Sequence, residues 1–360
     1  MKKNKKIKAY LLKLLTNKQK NLFDIKKSKS VLILKYDRIG DMVVSTPIFR
    51  ELKIAYPNIS ISVLASKANK DVIKNNPYID KIYTNYKNSV FKDLPTLLKL
   101  RKKNFDVCIE LEHSVIPHAI FRLKIINPKK IISIHKDGRY GVKGSELKLY
   151  DYFTKKDKNS HFGKIWLDTL IFFGVRPRSR SYDFFLGNAE RDKAKSFIDS
   201  LGKKIKIGIN TEGSFPEKSI QKKELKKICM GLYNNFNNIQ IVIFVTPKKL
   251  LEKTEMISSL GLDYVIPSYS TETIIEAAAL IEQLDLIISP DTSLVHIASS
   301  FDKPIVSIHE NNEDSFRLWS PTSTLSKTIF ASSSYGLENY SVDDIVDSAC
   351  DFLKIIEMKL

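Results

Sequence analysis

Cysteine is scarce in this 360-residue chain. Cys108, Cys229 and Cys350 are scattered, leave one odd and form no CxxC pair. That argues against a disulfide framework or a cysteine-based metal site, and suits reduced core residues in a cytosolic protein. Long apolar runs are missing too: none approaches the roughly 20 residues needed to span a bilayer. The N-terminus has no secretory apolar segment with a small-residue cleavage site, so a cytoplasmic protein is expected. No GxGxxG follows a strand-like run, which argues against a nicotinamide or flavin dehydrogenase. Neither a Walker A sequence nor an HExxH occurs, and no suitably placed DxD offers a metal-held diphosphate site.

Acidic residues are also in the minority, 40 against 59 lysines and arginines, for a net charge of +19. The excess is concentrated. Residues 1–30 hold eleven lysines and one acid, Asp24, a net +10. Ile7, Tyr10, Leu11, Leu14 and Leu15 are interleaved with those lysines at helical spacing. A basic amphipathic helix of this kind suits an anionic membrane surface. A solubilising tail explains the same charge, and so does a nucleic-acid arm, although no recognised nucleic-acid motif accompanies it. An anionic membrane surface is the expected partner of residues 1–30, with a solubilising tail the open alternative, and no nucleic acid is expected.

What is present is the composition of a soluble globular chain, 43% hydrophobic and 28% charged, long enough for two domains. Val31–Leu34 is a continuous β-branched and aliphatic run, as in a strand buried on both faces. Strands at Ile59–Leu64, Lys81–Tyr83, Asp106–Leu111 and Lys130–Ile134 alternate with helical patterns such as Leu94–Lys102. The stretch Val175–Tyr182 is polar and aperiodic, a domain boundary. The rhythm then restarts: strands at Ile205–Ile209, Ile239–Val245, Tyr264–Ile266, Leu286–Ile288 and Ile305–Ile308. Helices are expected at Trp166–Phe173, Lys222–Phe236, Lys248–Leu260, Thr271–Gln283 and Asp343–Met358. The expected organisation is a basic segment at 1–30, Rossmann-like domains at 31–180 and 181–340, and a C-terminal helix at 341–360. Both domains are read as α/β, with doubly wound parallel sheets.

In open α/β sheets, ligands bind beyond the carboxyl ends of the strands. Two segments place polar loops there: Val31–Leu64, containing Arg38, Gly40 and Asp41, and Asp285–Ile308, containing Asp291, Thr292, Ser293 and His296. Asp41 suits a general base that removes a hydroxyl proton, or a helix N-cap, with Thr46-Pro47 a rival helix start. Arg38 can pair with Asp41 or hold an anionic ligand. Gly40 lets the backbone pass close to a ligand. Thr292 and Ser293 open a helix whose free N–H groups suit phosphate. Asp291 orients that loop or meets a sugar hydroxyl. His296 lies one turn on, reaching the ligand or packing beneath the loop. Lys218 follows a strand and a Gly213-Ser214 turn, with Lys222 and Lys223 as alternatives. Glu110, Glu112 and His113 end another strand.

Arg38, Gly40, Asp41, Thr46, Pro47, Leu52, Lys53, Tyr56 and Pro57, with Asp291, Thr292, Ser293, His296, Ala298, Pro304 and Val306, follow a pattern that resembles glycosyltransferase family 9. These are the ADP-heptose:lipopolysaccharide heptosyltransferases. The resemblance runs from Val31 to about Pro321 and implies a GT-B architecture, two Rossmann-like domains facing across a cleft. It implies an inverting transfer without metal or other cofactor, from a nucleotide sugar, ADP-heptose, to a lipid-linked glycan acceptor. Asp41 would be the base, with Arg38 and Gly40 on the acceptor side. Lys218, Asp291, Thr292, Ser293 and His296 would bind the donor. Two departures stand out: Ser219-Ile220 where the family has Trp-Pro after the lysine, and His309-Glu310-Asn311-Asn312 where it has Phe-Gly-x-Thr. They leave two alternatives open, a transferase for a different nucleotide sugar and a non-catalytic binding protein at the membrane surface.

Overall fold

The computed structural model describes residues 2–18, 22–86, 90–155, 157 and 159–358. The chain divides into two compact units, Met1–Arg180 and Ser181–Leu360. In the first, the elements run α1 (Lys2–Leu15), β1 (Ser30–Leu34), α2 (Ile39–Ala55), β2 (Ser60–Ser66), β3 (Lys81–Asn85), α3 (Val90–Lys102), β4 (Val107–Glu110), α4 (Pro117–Ile126), β5 (Lys130–Ser133), β6 (Tyr152–Phe153) and α5 (Phe162–Leu167). The second continues with α6 (Asn188–Ser200), β7 (Ile205–Ile209), α7 (Lys222–Asn235), β8 (Ile239–Ile243), α8 (Leu250–Ser258), β9 (Val265–Pro267), α9 (Ile274–Gln283), β10 (Leu286–Pro290), α10 (Ser293–Ser300), β11 (Ile305–His309), α11 (Glu313–Trp319), β12 (Ser326–Phe330) and α12 (Val342–Glu357).

Each unit holds a six-stranded sheet, in the orders β3-β2-β1-β4-β5-β6 and β12-β11-β10-β7-β8-β9. Every pairing in both is parallel. The two orders are the same doubly wound pattern. In each, the connections leave two central neighbours in opposite directions: β1 and β4, then β7 and β10. Those are the switch points at which such sheets bind ligands.

The β-branched runs are central strands because both of their faces are covered. Leu32 and Leu34 of β1 pack with Leu97 and Leu100 of α3 and with Ile120 and Leu123 of α4. Val31 and Ile33 alternate to the other face and are equally buried. In the second unit, β7, β8 and β10 share a core with Leu225, Ile228 and Leu232 of α7 and with Ile345, Ala349 and Leu353 of α12.

α2 begins at Ile39 and carries Pro47 in its interior, so Thr46-Pro47 is not a helix start. Proline has no N–H to give to the carbonyl four residues back, which belongs to Val43. The Thr46 hydroxyl donates to that carbonyl at 2.7 Å. The helix therefore continues through the proline with this acceptor satisfied.

α3 and α4 are tied by a fully buried ion pair. Arg122 donates from Nε and Nη2 to one oxygen of Asp93, at 2.9 and 2.7 Å, and its guanidinium lies over the Tyr36 ring. Removing one partner of such a pair costs about 3–5 kcal/mol, because the other charge stays buried.

α1 is docked. Leu12 enters the core beside α4, Lys13 pairs with Glu146 and Lys18 with Asp151. The opposite side of the helix leaves Tyr10, Leu11, Leu14 and Leu15 about half exposed or more. The side chain of Ile7, and those of the lysines at 2, 3, 5, 6, 8 and 20, lie outside the described residues. Among the described residues no helix is long and apolar enough to cross a membrane.

Some elements differ from expectation. The helix expected at Trp166–Phe173 is the end of α5 followed by a 3-10 turn, Asp168–Phe173, closed by Gly174 at φ 75°. Lys248–Leu260 loses its first turn to a 3-10 segment that starts at Pro247. α9 starts at Ile274, where the Thr273 side chain accepts from the Glu276 N–H. α4, α6, α11, β6 and β12 were not anticipated. α6 buries only Ala194 and Ile198, too few apolar positions to show a period.

Candidate active site

β1 ends at Leu34, and the next four residues lead into α2. Lys35 is buried at this turn, although a lysine is expensive to bury without partners. Its ammonium has three. It donates to Asp37 Oδ2 at 2.9 Å, lies 3.7 Å from Asp41 Oδ2 and sits 4.1 Å over the Trp166 ring of α5. Burial works to lower its pKa, but Asp41 and Asp37 outweigh that and hold it above the ordinary lysine value.

Asp41 is the third residue of α2, not its N-cap. Its carboxylate reaches back to the Arg38 N–H at only 3.5 Å, the limit of a hydrogen bond. Burial raises its pKa, and Lys35 opposes the rise. A carboxylate in this state has a higher proton affinity than one in water, which suits a base. The cation closest to it in this arrangement is Lys35. The Arg38 side chain is exposed, and Gly40 is buried as the second residue of the helix.

Across the switch point, the chain leaving β4 brings Glu112 to Asp37. Burial and a hydrogen bond to Asp37 push the Glu112 carboxyl up to about 9. The Asp37–Glu112 pair thus keeps one proton above the ordinary carboxylate range. The backbone carbonyl of Glu112 is held by Lys136 Nζ at 2.6 Å. Lys136 also pairs with Glu110, whose carboxylate accepts from Ser133. Glu110 is thus fully buried and paired, while Glu112 belongs to the Lys35 cluster. The His113 ring lies against Phe162 and its pKa is lowered, first by burial and then by Lys35.

In the second unit three strand ends adjoin. After β10, Asp291 is exposed and its N–H is held by the Ile308 carbonyl of β11. Thr292 is the N-cap of α10: its hydroxyl accepts from the Leu294 N–H at 3.3 Å and from Asn210, which follows β7, at 3.3 Å. Ser293 is the first residue of the helix. His296 is buried, with its ring 6.3 Å from Tyr182 and 6.1 Å from Trp319. It packs beneath the loop among these rings.

Lys218 closes a 3-10 turn after β7. This turn leaves no room for a side chain at Gly213, where a Cβ would stand 2.1 Å from the Lys218 carbonyl oxygen. Lys218 Nζ donates to Glu310 Oε2 at 2.7 Å, and Gly336 N–H donates to Glu310 Oε1 at 2.7 Å. Burial would raise the Glu310 pKa, but these two bonds hold it below the usual carboxylate range. Beside it, His309 Nδ1 lies 4.0 Å from Asp291. Burial lowers its pKa, so it is neutral and the contact is not an ion pair at pH 7.

The structure thus brings Asp41 together with Lys35, Asp37 and Glu112 at one switch point, and Lys218 with Glu310, and Thr292 with Asn210, around the other. Sequence reasoning missed Lys35, Asp37 and Asn210, and named Glu310 only as part of a divergent polar loop. Lys35, Asn210 and Glu310 follow directly on β1, β7 and β11, and Asp37 lies three residues beyond β1, which is the signal that would have found them.

Two parallel doubly wound units, each with polar groups gathered at its switch point, define a Rossmann-type two-domain protein. The description of glycosyltransferase family 9 (heptosyltransferase) matches residues 97–336, and the chain belongs to that family. A protein of Escherichia coli (strain K12), provisionally named lipopolysaccharide heptosyltransferase 4, is 26% identical over 354 residues, 94% of this chain and 92% of its own. It therefore also covers the Asp41 region, which lies before the family match. A glycosyl transferase family 9 structure from Veillonella parvula DSM 2008 superimposes with a TM-score of 0.77 at 18% identity, covering 93% of this chain and 99% of its own. An E. coli heptosyltransferase solved with ADP gives a TM-score of 0.70 at 14% identity, with 90% and 99% covered.

A carboxyl near 4.5 when unfolded and near 9 when folded carries a proton on folding. Its effect is absent below about 4.5 and destabilises the fold progressively up to about 9. Glu112→Gln removes that titration. Urea unfolding across this range should show a flatter decline of stability with pH in the variant. Equal slopes would mean Glu112 is ionised in the fold.

Proposed function

We propose that the chain is an inverting, metal-independent glycosyltransferase that moves a heptose from ADP-heptose to a lipopolysaccharide core or a related bacterial surface glycan. The observation that carries this is Asp41: a partly buried carboxyl in the first turn of α2, beyond the end of the first strand, raised in proton affinity by burial and kept ionisable by Lys35. The E. coli heptosyltransferase solved with ADP supports the donor, and the relative named for lipopolysaccharide supports the acceptor class.

Asp41 removes the proton from the acceptor hydroxyl, and the oxygen attacks the anomeric carbon from the face opposite the diphosphate. A single displacement of that kind inverts the anomeric centre. The bond to the diphosphate oxygen breaks, and ADP leaves with the electron pair. Lys218 exchanges its Glu310 partner for the diphosphate, and Thr292, Ser293 and the N–H groups that open α10 receive the same group. Asp291, exposed beside them, meets a sugar hydroxyl. This cation and helix end do the charge stabilisation that a divalent metal does in other transferases. Arg38, exposed at the lip of the Asp41 turn, meets an anionic acceptor, and Gly40 allows the acceptor close approach.

We further propose that the protein works at the inner face of the cytoplasmic membrane through the exposed side of α1. Tyr10, Leu11, Leu14 and Leu15 form its apolar stripe, and Lys13 flanks it. The neighbouring helices extend it: Phe121 on α4 and Phe91, Leu94 and Leu98 on α3 are all exposed. An exposed apolar patch on a chain segment rich in lysine suits an anionic bilayer.

Asp41→Asn should lower kcat with ADP-heptose by about 10²–10⁴-fold while ADP binding persists. Full turnover in that variant would remove Asp41 from the mechanism. A Leu11→Asp, Leu14→Asp double variant tests the membrane reading without disturbing the docked Leu12. Each inserted leucine is worth roughly 1.5–3 kcal/mol, so flotation with anionic vesicles should weaken about tenfold or more. Equal flotation would sink the membrane reading.

A further inference from the structure

Lys35 and Glu112 are buried and Asp37 is partly buried, so charged and titratable groups crowd the turn that leads to Asp41. Each is costly where it stands. A fully ionised set would place three carboxylates, Asp37, Asp41 and Glu112, around one lysine in a half-dry pocket. The hydrogen bond between Asp37 and Glu112 removes one of those negative charges. What remains is one ammonium between two carboxylates, 2.9 Å from Asp37 and 3.7 Å from Asp41.

The other neighbours fix this arrangement. Trp166 closes the ammonium from α5. From the β4 end, Glu110 is neutralised by Lys136, and Lys136 also anchors the Glu112 backbone. His113 is held neutral at pH 7 by burial and by Lys35, with Asp137 and Asp37 acting the other way. On the α2 side, the Arg38 N–H reaches Asp41, and its guanidinium is a minor influence on that carboxyl. Lys35 is therefore the main charge that favours the ionised form of Asp41.

We propose that Lys35 is a positioning residue of the transfer reaction, with the hydrogen-bonded Asp37–Glu112 pair as its anchor, and that it acts through Asp41. The inference rests on Asp41 being the base. Lys35 keeps the carboxyl ionised before the acceptor arrives. When Asp41 takes the hydroxyl proton, the new carbon–oxygen bond forms and the diphosphate leaves with its electron pair. Asp41 is then neutral, and Lys35 remains partnered by Asp37. The proton on Glu112 is a fixed part of the site and is not transferred.

The first test is the pH dependence of kcat in Lys35→Met, whose unbranched side chain can still lie over Trp166. An opposite charge at this range lowers a carboxyl pKa by about one to three units. Without Lys35 the acid limb of the kcat profile should move up by about that much, with KM for ADP-heptose little changed and turnover partly recovered at higher pH. An unmoved acid limb overturns the proposal. The second test needs no activity. The infrared spectrum of the wild-type protein should show the carbonyl stretch of a neutral buried carboxylic acid at pH 7, lost in Glu112→Gln and fading as the pH passes about 9. No such band overturns the anchor. Full turnover by Asp41→Asn would overturn the base reading and Lys35's role in transfer with it, yet leave the infrared band in place, so the two failures are distinguishable.

Discussion

A lysine buried beside carboxylates is the interaction on which the first unit's site depends. An ammonium out of water is tolerated only where its charge is matched. Lys35 is matched by Asp37 and Asp41, and by the face of Trp166. The match constrains everything near it. Asp37 and Asp41 are held on one side of the α2 entry, Glu112 must be neutral, and Trp166 must lie beneath. The site is therefore a set of compensations, in which no single charge could be removed without leaving another exposed to the cost of burial.

The sheets decide where this can happen. β1 and β4, like β7 and β10, are neighbours whose connections run in opposite directions. Their carboxyl ends diverge and leave polar loops facing open space, while the strand bodies are sealed by helices on both sides. In the second unit the same geometry gathers Asn210, Lys218, Thr292, Asp291 and Glu310. There the cation is already matched, by Glu310 at 2.7 Å, so an arriving diphosphate must compete with a carboxylate for Lys218. Glu310 stands in the loop where this chain departs from the family pattern, and that departure now has a physical content.

Much of the fold was legible, for identifiable reasons. Runs such as Val31–Leu34 and Ile239–Ile243 can only be strands sealed on both faces, and a repeated strand–helix rhythm with a polar break near Arg180 points to two sheets. The loops of Asp41 and Asp291-Thr292 were legible because they follow strands and carry the family's residues. Lys35 was not. In sequence it is one more lysine in a lysine-rich chain, and its burial follows from Trp166, more than a hundred residues away. The pairing of Glu310 was hidden for the same reason: its partner Lys218 is distant in sequence. The stripe on α1 was legible, but the docking of its other side through Leu12 was not, because one leucine makes no period. α6 hid likewise, since so few of its positions face the core.

If the second unit receives the ADP part of a nucleotide sugar, ADP should stabilise the whole chain against heat more than UDP, GDP or CMP does. A nucleotide at about 100 times its dissociation constant adds roughly 2.7 kcal/mol of stability. A clear upward shift with ADP and little with the others is expected. A preference for UDP or GDP would contradict the ADP-heptose assignment while leaving a transferase for another sugar, and no shift with any of them would favour a non-catalytic binding protein on this fold.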